Sequence, residues 1–396
     1  MLLRVNAKFY VRFFTLFFLL AFIIYYLFAL IFGSSYKNSM NTDENSPVEF
    51  RFEQFPPRNS CVHSNSSFFQ IPILVFSCRR AKAIRRHILK LIEYRPNPVQ
   101  FPIYVSQDCD NDDVTEEIRK FGSSVSFTKF PSDKTVRKGV KRYHRQYYKI
   151  ARHYKLGLEW VFQNPCYDAV IITEDDLDIS LDFFSYFTAT YPLLKNDKTL
   201  WCVSAWNDNG QLNNIDINAH SLLHRTDFFG GLGWMTTRKI WDELSVKWPE
   251  AYWDDFLRRS ANRKGRQCIR PEISRTGMTT DGAKGASSGK FYRQFTSRVH
   301  LFEKQVNFSE VDLGYLERDV YKESFVREVR KAPTVTLAEF KLAKLKRSPV
   351  KIFYNSSAFQ DSARRLGVMR DRIDGVPRNS YENVVPFFRQ GVRVYL

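Results

Sequence analysis

Three consecutive acids, Glu174-Asp175-Asp176, follow the apolar run Val170-Ile171-Ile172. Such a run is typical of the end of a buried strand. Carboxylates crowded at the end of a strand repel one another and are costly to remove from water unless a cation lies among them. A hard divalent cation with oxygen ligands is the natural occupant, and it would suit a ligand that brings its own phosphates. The alternative is a helix N-terminus, where acids favour the dipole, but the preceding strand favours a metal site.

A second acid pair, Asp254-Asp255, follows Trp253 in an unusually aromatic part of the chain. This part also contains Trp201–Gly210, which predicts a strand running into an Asn/Asp/Gly turn, and the glycine-rich loop Gly230–Trp234. Aromatic faces beside Asp and Asn suit sugars, although any single aromatic residue is more often plain core. One acid group for a metal and another for proton transfer is what a metal-assisted group transfer requires.

Strands and helices alternate in the region that carries the first acids. The predicted elements are strands at Ile73–Phe76, Phe101–Val105 and Ala169–Ile172 and helices at Ala81–Tyr94, Thr115–Phe121 and Arg145–Phe162. This alternation predicts an α/β domain with a mainly parallel sheet, in which ligands bind beyond the carboxyl ends of the strands. Cys78, Asp108 and the acid triplet each follow a predicted strand and could therefore line one crevice. No G-x-G-x-x-G and no Walker loop supports a dinucleotide or P-loop interpretation.

The N-terminus predicts a membrane anchor. Phe13–Phe32 is an uncharged stretch of 20 residues, which as a helix spans about 30 Å, the thickness of a bilayer core. Three basic residues precede it: Arg4, Lys8 and Arg12. The positive-inside rule therefore predicts a cytosolic tail at residues 1–12 and a lumenal location for everything after the anchor. Residues 33–70 are rich in Ser, Asn and Pro, which indicates a lumenal stem.

The chain is strongly basic. Its 60 Lys+Arg against 42 Asp+Glu give a net charge of +18 over 396 residues. This balance would suit nucleic acid, an anionic membrane surface or an anionic small substrate. No zinc-finger, RNP or basic-zipper pattern is present, so the sequence gives nucleic acid only weak support.

The cysteines and sequons depend on the predicted lumenal location. The six cysteines contain no close CxxC pair, which argues against a zinc site, and in an oxidising compartment they are disulfide candidates whose pairing the spacing does not decide. They are Cys61, Cys78, Cys109, Cys166, Cys202 and Cys268. Three Asn-x-Ser sequons, at Asn65, Asn307 and Asn355, are candidate glycan sites.

Eight stretches of the chain match one enzyme family. They are Val105–Cys109, Tyr147–Tyr154, Glu174–Leu177, Leu200–Gly210, Arg225–Phe229, Trp253–Asp255, Cys268–Thr276 and Gly367–Met369. With these stretches the chain resembles glycosyltransferase family 13, the N-acetylglucosaminyltransferase I family, from about Ile71 to the C-terminus. The resemblance implies a GT-A fold, with a Rossmann-like nucleotide-sugar domain at 71–316 and a smaller C-terminal subdomain at 317–396.

The resemblance also implies an activity. Family members carry out an inverting transfer of N-acetylglucosamine from UDP-N-acetylglucosamine, with manganese as cofactor. The acceptor is the α-1,3-arm mannose of the high-mannose N-glycan core on glycoproteins, the new linkage is β-1,2, and the enzymes are type II membrane proteins of the Golgi apparatus. Two other interpretations remain: β-1,2 transfer to O-mannosyl protein, and a catalytically silent lectin-like member. Retention of Asp176 and Asp254 argues against the silent member, and the short stem argues against the O-mannosyl acceptor.

The resemblance assigns roles to individual residues. Asp176 would be the direct protein ligand of the metal, and Asp254 the general base. Six further residues would contact the nucleotide-sugar: Asp175 at the ribose, Glu174 near the sugar, Asp108 and His153 at the uridine, Arg80 at the donor, and Ser287 on the closing loop Gly277–Gly289. The chain departs from the family at Cys78-Arg79-Arg80, where other members have an acid between Cys and Arg.

The same resemblance narrows the disulfides. It implies the pairs Cys78–Cys109 and Cys202–Cys268. Cys61 and Cys166 are left over, to pair with each other, remain free, or link two chains through the stem.

Overall fold

The computed structural model describes residues 69–131, 139–141, 144–285, 290–342 and 348–396. The predicted anchor Phe13–Phe32 and nearly all of the predicted stem lie outside these ranges. Within them, no helix combines the length and the apolar character needed to cross a membrane.

The described chain alternates strands with helices over its first half. The strands are β1 (Ile73–Ser77), β2 (Ile103–Gln107), β3 (Ser126–Lys129), β4 (Ala169–Glu174), β5 (Leu177–Ile179), β6 (Leu200–Ser204), β7 (Leu223–Thr226), β8 (Trp234–Thr237), β9 (Gln267–Pro271), β10 (Thr276–Met278), β11 (Val350–Lys351), β12 (Arg372–Ile373), β13 (Val376–Pro377), β14 (Pro386–Arg389) and β15 (Val392–Tyr395). The α-helices are α1 (Ala81–Tyr94), α2 (Asp112–Arg119), α3 (Arg145–Phe162), α4 (Phe183–Asn196), α5 (Arg238–Ser245), α6 (Trp253–Arg258), α7 (Ser260–Arg263), α8 (Lys290–Gln294), α9 (Arg318–Lys331), α10 (Leu337–Leu342) and α11 (Phe359–Leu366).

A mixed sheet forms the centre of the fold, with the strand order β3-β2-β1-β4-β8-β6-β9-β7. The half that contains β3, β2, β1 and β4 is wholly parallel, as the sequence predicted. In the other half β8 lies antiparallel between β4 and β6, and β7 lies antiparallel at the edge beside β9. The α/β class is therefore confirmed, and the sheet is mixed because β8 and β7 run against the others.

Helices α1 and α3 have the bounds that the sequence pattern predicted. Helix α2 begins at Asp112, three residues before the predicted start. The reason is a cap: the side chain of Asn111 accepts a hydrogen bond of 3.0 Å from the backbone N–H of Val114. Such a cap satisfies an N–H that the first helical turn leaves without a partner.

Strand β1 is buried on both faces. Ile73 and Val75 belong to the hydrophobic cluster that contains α1, whereas Leu74 and Phe76 belong to the cluster on the other face that contains α3. Helix α3 packs very closely here, because a Cβ on Gly157 would lie 2.6 Å from the Phe76 ring. Burial on both faces is typical of a parallel strand covered by helices. It explains why the sequences of β1, β2 and β4 contain continuous apolar runs.

The C-terminal region adds a small sheet of its own, in the order β11-β15-β14, with a separate hydrophobic cluster around Phe359 and Phe387. Tyr321 and Phe325 of α9 pack instead in the large cluster beneath the central sheet. The proposed subdomain boundary at 316/317 stays a prediction.

A buried ion cluster joins the small sheet to the central one. The carboxylate of Glu272, directly after β9, lies 2.8 Å from His224 Nε2 of β7 and 3.0 Å from Arg393 of β15. Burial, together with the positive charge of Arg270, lowers the pKa of His224 to about 4. His224 is therefore neutral at pH 7. Protonating it would add a third cation around the carboxylate of Glu272, whose charge Arg393 and Arg270 already balance.

This depressed pKa makes stability depend on pH. An unfolded histidine has a pKa near 6.5, so between about pH 6.5 and 4 the unfolded chain binds more protons at this position than the folded chain. The contribution of His224 to the free energy of unfolding is thus fully present above about pH 6.5 and is lost as the pH falls from about 6.5 toward 4. We expect wild-type protein to lose about 2 kcal/mol more than His224→Gln between pH 7.5 and pH 5 in urea titrations. Parallel pH dependence of the two proteins would contradict this assignment.

Candidate active site

The carboxyl ends of β1, β2 and β4 meet at one edge of the sheet. Ser77, the last residue of β1, donates from Oγ to Asp175 Oδ2 over 2.9 Å, and its carbonyl accepts from the Asp108 backbone N–H over 3.4 Å. A disulfide between Cys78 and Cys109 links the chain just beyond β1 and β2, with a Cα–Cα distance of 4.9 Å. The residues that follow these strands therefore meet at one edge of the sheet, as predicted, and this edge is called the crevice below.

The disulfides follow the predicted pairs where these are described. Cys202–Cys268 joins β6 to β9, and with Cys78–Cys109 it confirms both predicted bonds. Cys166 also takes part in a disulfide bond, which excludes a free thiol at that position. Cys61 lies outside the described residues.

Glu174 ends β4, and Asp175 and Asp176 form the turn that leads into β5, so the alternative of a helix N-terminus is wrong. Asp175 and Asp176 are 1% and 6% exposed. The guanidinium of Arg80 binds both, with Nη2 2.5 Å from Asp175 Oδ1 and Nη1 donating to Asp176 Oδ2 over 2.7 Å. Although burial opposes it, the charges of Asp176 and Asp175 raise the pKa of Arg80. An arginine thus supplies one cation among the crowded carboxylates.

Asp176 retains one oxygen that could serve a metal. Its Oδ1 is buried and has no hydrogen-bond partner among the described residues. A buried carboxylate oxygen without a partner is costly and fits a hard divalent cation. Over the same ranges, no group of three or more His, Cys, Asp or Glu could hold a metal. A metal at this site would therefore take Asp176 from the protein and the rest of its ligands from a bound molecule and water.

Glu174, the last residue of β4, is bound by a tyrosine of α3. Its Oε1 accepts a hydrogen bond of 2.7 Å from the Tyr154 hydroxyl. Burial and the negative charge of Asp176 raise the pKa of Glu174 to about 7. Burial also raises the pKa of Asp175, to about 6, while Arg80 opposes the shift. Burial thus disfavours the charged forms of both carboxyls, and a further cation nearby would stabilise these forms.

Asp108 and His153 line the β2 side of the crevice. Arg152 Nη1 donates to Asp108 Oδ1 over 3.1 Å. His153 Nε2 lies 2.7 Å from the Ser106 hydroxyl, and its ring packs edge-on against Phe76. Burial, with the charge of Arg152, lowers the pKa of His153 to about 3. A neutral imidazole and a fixed carboxylate offer hydrogen bonds, rather than a positive charge, to a ligand at this end.

The segment after β10 closes over the acids. Thr279 donates from both its backbone N–H and its hydroxyl to the Asp176 carbonyl, each over 2.9 Å. Arg86 of α1 holds the segment through Asp281 at 3.0 Å and Thr279 at 3.1 Å. Ser287, predicted to contact the donor from this loop, lies outside the described residues.

The second acid pair opens helix α6. Asp254 and Asp255, with side chains 40% and 46% exposed, both bind Nη1 of buried Arg258, at 2.7 and 3.1 Å. Tyr252, the residue directly before this helix, has a left-handed backbone conformation (φ 54°), which is strained for a bulky side chain. The helix start is thus held by Arg258 with both carboxylates open to solvent.

A stack of aromatic rings connects the two acid groups. Tyr154, which donates to Glu174, stacks on Trp253 with ring centroids 3.9 Å apart. Tyr154 also stacks on Phe76 of β1 at 4.0 Å. Trp253 directly precedes Asp254, so the position of the second acid pair depends on packing against β1, the strand that pairs with β4 beside the first acids.

The Asn207-Asp208-Asn209 turn after β6 has a structural use. Asp208 Oδ1 accepts from Arg378 at 3.1 Å, and Asn209 Oδ1 accepts from the Met369 backbone N–H at 2.8 Å. The guanidiniums of Arg258 and Arg378 lie over the Phe228 ring, at 5.1 and 4.9 Å from its centroid. The turn that the sequence suggested for sugars thus binds the C-terminal region beside α6.

Several site residues were not predicted. They are Ser77, Arg86, Arg152, Tyr154, Arg258, Thr279 and Asp281. Arg258 had a local signal, since it lies four residues after Asp254, the spacing at which helical side chains meet. The others depend on contacts distant in sequence, which no local pattern reports.

Comparison with known proteins gives the family. The model of the GNT-I family matches residues 52–396. An alpha-1,3-mannosyl-glycoprotein 2-beta-N-acetylglucosaminyltransferase from Arabidopsis thaliana is 38% identical over 326 residues, which cover 81% of this chain and 72% of that protein.

Two solved structures are distantly similar. One is the mannosyltransferase PcManGT from Pyrobaculum calidifontis in complex with GDP-Man and Mn2+, at 16% identity and TM-score 0.32, covering 51% of this chain and 54% of that one. The other is S. aureus TarS 1-349 in complex with UDP-GlcNAc, at 11% identity and TM-score 0.36, covering 75% and 72%. At these TM-scores neither adds to the assignment, which rests on the sequence matches. By the family model and this relative, the chain belongs to the GNT-I family.

Proposed function

We propose that the protein transfers N-acetylglucosamine from UDP-N-acetylglucosamine, in β-1,2 linkage, to the α-1,3-arm mannose of the high-mannose N-glycan core on glycoproteins. This transfer starts hybrid and complex N-glycan synthesis. Membership of the GNT-I family and the name of the Arabidopsis relative support the reaction class. The observation that carries the proposal is a pair of carboxylates whose charges both act on Tyr154, the buried Asp176 and the exposed Asp254. The arrangement suits a GT-A donor domain.

The donor would lie beyond the carboxyl ends of β1, β2 and β4. Asp108 and His153 would receive the uridine, Asp175 the ribose, and Arg80 the diphosphate. Because Arg80 already binds Asp175 and Asp176, its guanidinium can turn toward an arriving diphosphate only if another cation compensates these acids. Asp176 Oδ1, buried without a described partner, would hold a manganese ion, which stabilises the negative charge of the departing diphosphate.

The protein's own groups then perform the transfer. The mannose O2 attacks the anomeric carbon from the face opposite UDP, so the C1–O2 bond forms while the bond from C1 to the diphosphate oxygen breaks. Asp254 takes the hydroxyl proton, and UDP leaves with the bonding electrons. Arg258 holds Asp254 by one carboxylate oxygen and so orients the base. The segment at Thr279 and Asp281 would exclude water from the donor, with Ser287 completing it.

The base has a neighbouring control. Asp254 and Asp255 are consecutive, similarly exposed and bound to the same guanidinium nitrogen. We expect Asp254→Asn to lower kcat for transfer from UDP-N-acetylglucosamine to a trimmed high-mannose acceptor by about 100-fold or more, the usual loss for a general base. UDP affinity should stay nearly unchanged. Asp255→Asn should retain activity within about threefold, because the Asp255 carboxylate accepts no proton in the proposed reaction.

Two results would overturn these roles. Equal losses in the two variants would make the pair a structural unit around Arg258. If the wild-type protein transfers no sugar to any mannose acceptor in the presence of manganese, the proposed function itself is wrong.

The metal prediction also has a control on the same segment. Asp176→Asn should abolish transfer, because the amide no longer supplies an anionic oxygen ligand to manganese. Excess chelator should do the same to wild-type protein until manganese is restored. Asp178→Asn should leave transfer largely intact, because Asp178 binds Lys90 at 2.5 Å. Full activity of wild-type protein in excess chelator would exclude the metal.

The proposed location is the Golgi membrane, with residues 1–12 cytosolic, Phe13–Phe32 as the anchor, 33–70 as the stem and the catalytic region lumenal. The disulfides support an oxidising compartment. In proteolysis of cells opened only at the plasma membrane, the catalytic region should survive until detergent opens the Golgi. Its digestion before detergent is added would overturn the topology.

A further inference from the structure

Two of the three sequons lie in described parts of the chain, at Asn307 and Asn355, and they differ in their surroundings. Both asparagines are exposed. N-glycosylation joins the side-chain nitrogen, Nδ2, to the first sugar, so the partners of Nδ2 and the surface beside it distinguish the two sites.

Asn355 lies in the loop between β11 and α11. Its Oδ1 accepts hydrogen bonds from the Ser357 hydroxyl and the Ala358 backbone N–H, each over 2.8 Å. The described residues give Nδ2 no hydrogen-bond partner. Arg372 fixes the intervening Ser356 through two hydrogen bonds, of 3.1 and 3.0 Å. The loop therefore presents Nδ2 to solvent, and the sequon hydroxyl binds the amide oxygen.

An exposed aromatic ring lies two residues before this asparagine. Phe353 is 76% exposed, whereas its neighbour Ile352 is 3% exposed in the C-terminal cluster. Burial alternates along this segment, with Ile352 buried, Phe353 exposed, Tyr354 partly buried and Asn355 exposed. Phe353 and Asn355 therefore share the outer face. A sugar attached at Asn355 would reach this ring, and the C–H face of a pyranose packs well on an aromatic surface.

Asn307 offers a contrast within the same chain. Its Nδ2 donates to Glu310 over 2.6 Å, and its Oδ1 accepts from the Ser309 hydroxyl over 2.7 Å. Phe308, within this sequon, is 1% exposed in the large core. The residue two positions before Asn307 is Gln305, so this sequon has no aromatic ring at the position that Phe353 occupies beside Asn355.

We propose that Asn355 carries an N-linked glycan whose first N-acetylglucosamine packs on Phe353. The donor is an oligosaccharide on a lipid pyrophosphate, which membranes of the early secretory pathway supply. Nδ2 attacks C1 of the sugar, the bond from C1 to the pyrophosphate oxygen breaks, the lipid pyrophosphate leaves with the electron pair, and Nδ2 loses one proton to the transferring enzyme. The site is independent of the transferase reaction proposed above, so either proposal can fail alone.

Occupancy is tested on the full chain made in eukaryotic cells that keep glycans in the high-mannose form. Peptide mass spectrometry should find Asn355 modified in most molecules. Asn355→Gln and Ser357→Ala should each remove one glycan, Ser357→Thr should keep it, and Asn307→Gln should leave the modification at Asn355 unchanged. An Asn355 peptide that is mostly unmodified would overturn the proposal.

The contact with Phe353 is tested on the same protein by stepwise trimming. An endoglycosidase that leaves one N-acetylglucosamine should not change Tm, whereas an amidase that removes this last sugar should lower Tm by about 2 °C, the order for one aromatic contact in a domain of this size. Phe353→Ser should keep the glycan but show no such step. An equal step with and without the ring would refute the packing.

Discussion

The placement of Arg80 between Asp175 and Asp176 is the interaction on which the proposed donor site depends. Two carboxylates at most 6% exposed, with a third acid beside them, would be unstable at this sheet edge without a cation. Arg80 supplies it from the segment that follows β1, so the acids and the arginine are assembled by pairing β1 with β4. The same guanidinium is also suited to a diphosphate. In the proposed donor site, a metal bound with the nucleotide would take over this role of Arg80 at the acids.

The second acid pair is held to the first through packing. Tyr154 binds Glu174 by its hydroxyl and packs between Phe76 and Trp253 by its ring. A hydrogen bond fixes the ring at one end, and the stacked faces fix the start of α6 at the other. Because closely packed aromatic rings resist compression, the rings of Tyr154 and Trp253 set the distance from the Glu174–Asp176 acids to Asp254. This spacing matters for an inverting transfer, in which base and leaving group act on opposite faces of one carbon.

Local sequence pattern predicted the elements that have a local cause. Helices α1 and α3 keep an apolar period along their length, and their bounds were predicted without error. The start of α2 was missed because the side chain of Asn111 decides it. Strand β8 was missed because its insertion between β4 and β6 depends on pairing across more than 60 residues of chain. In the site, residue types identified both groups of acids, whereas Arg80 and the choice of Asp254 as the base came from family resemblance. Tyr154 and Arg152 appeared only when the chain was folded.

The Asn207-Asp208-Asn209 turn shows why a polar motif does not by itself indicate a ligand. Residue types alone suited a sugar, but the turn's side chains bind Met369, Arg378 and Asn379 of the C-terminal region. Arg378 then shares the Phe228 ring with Arg258, which orients Asp254. Each of these two guanidiniums binds a carboxylate, Arg378 that of Asp208 and Arg258 that of Asp254. The C-terminal region therefore contributes, through Arg378, to the distribution of charge around Arg258 and Asp254.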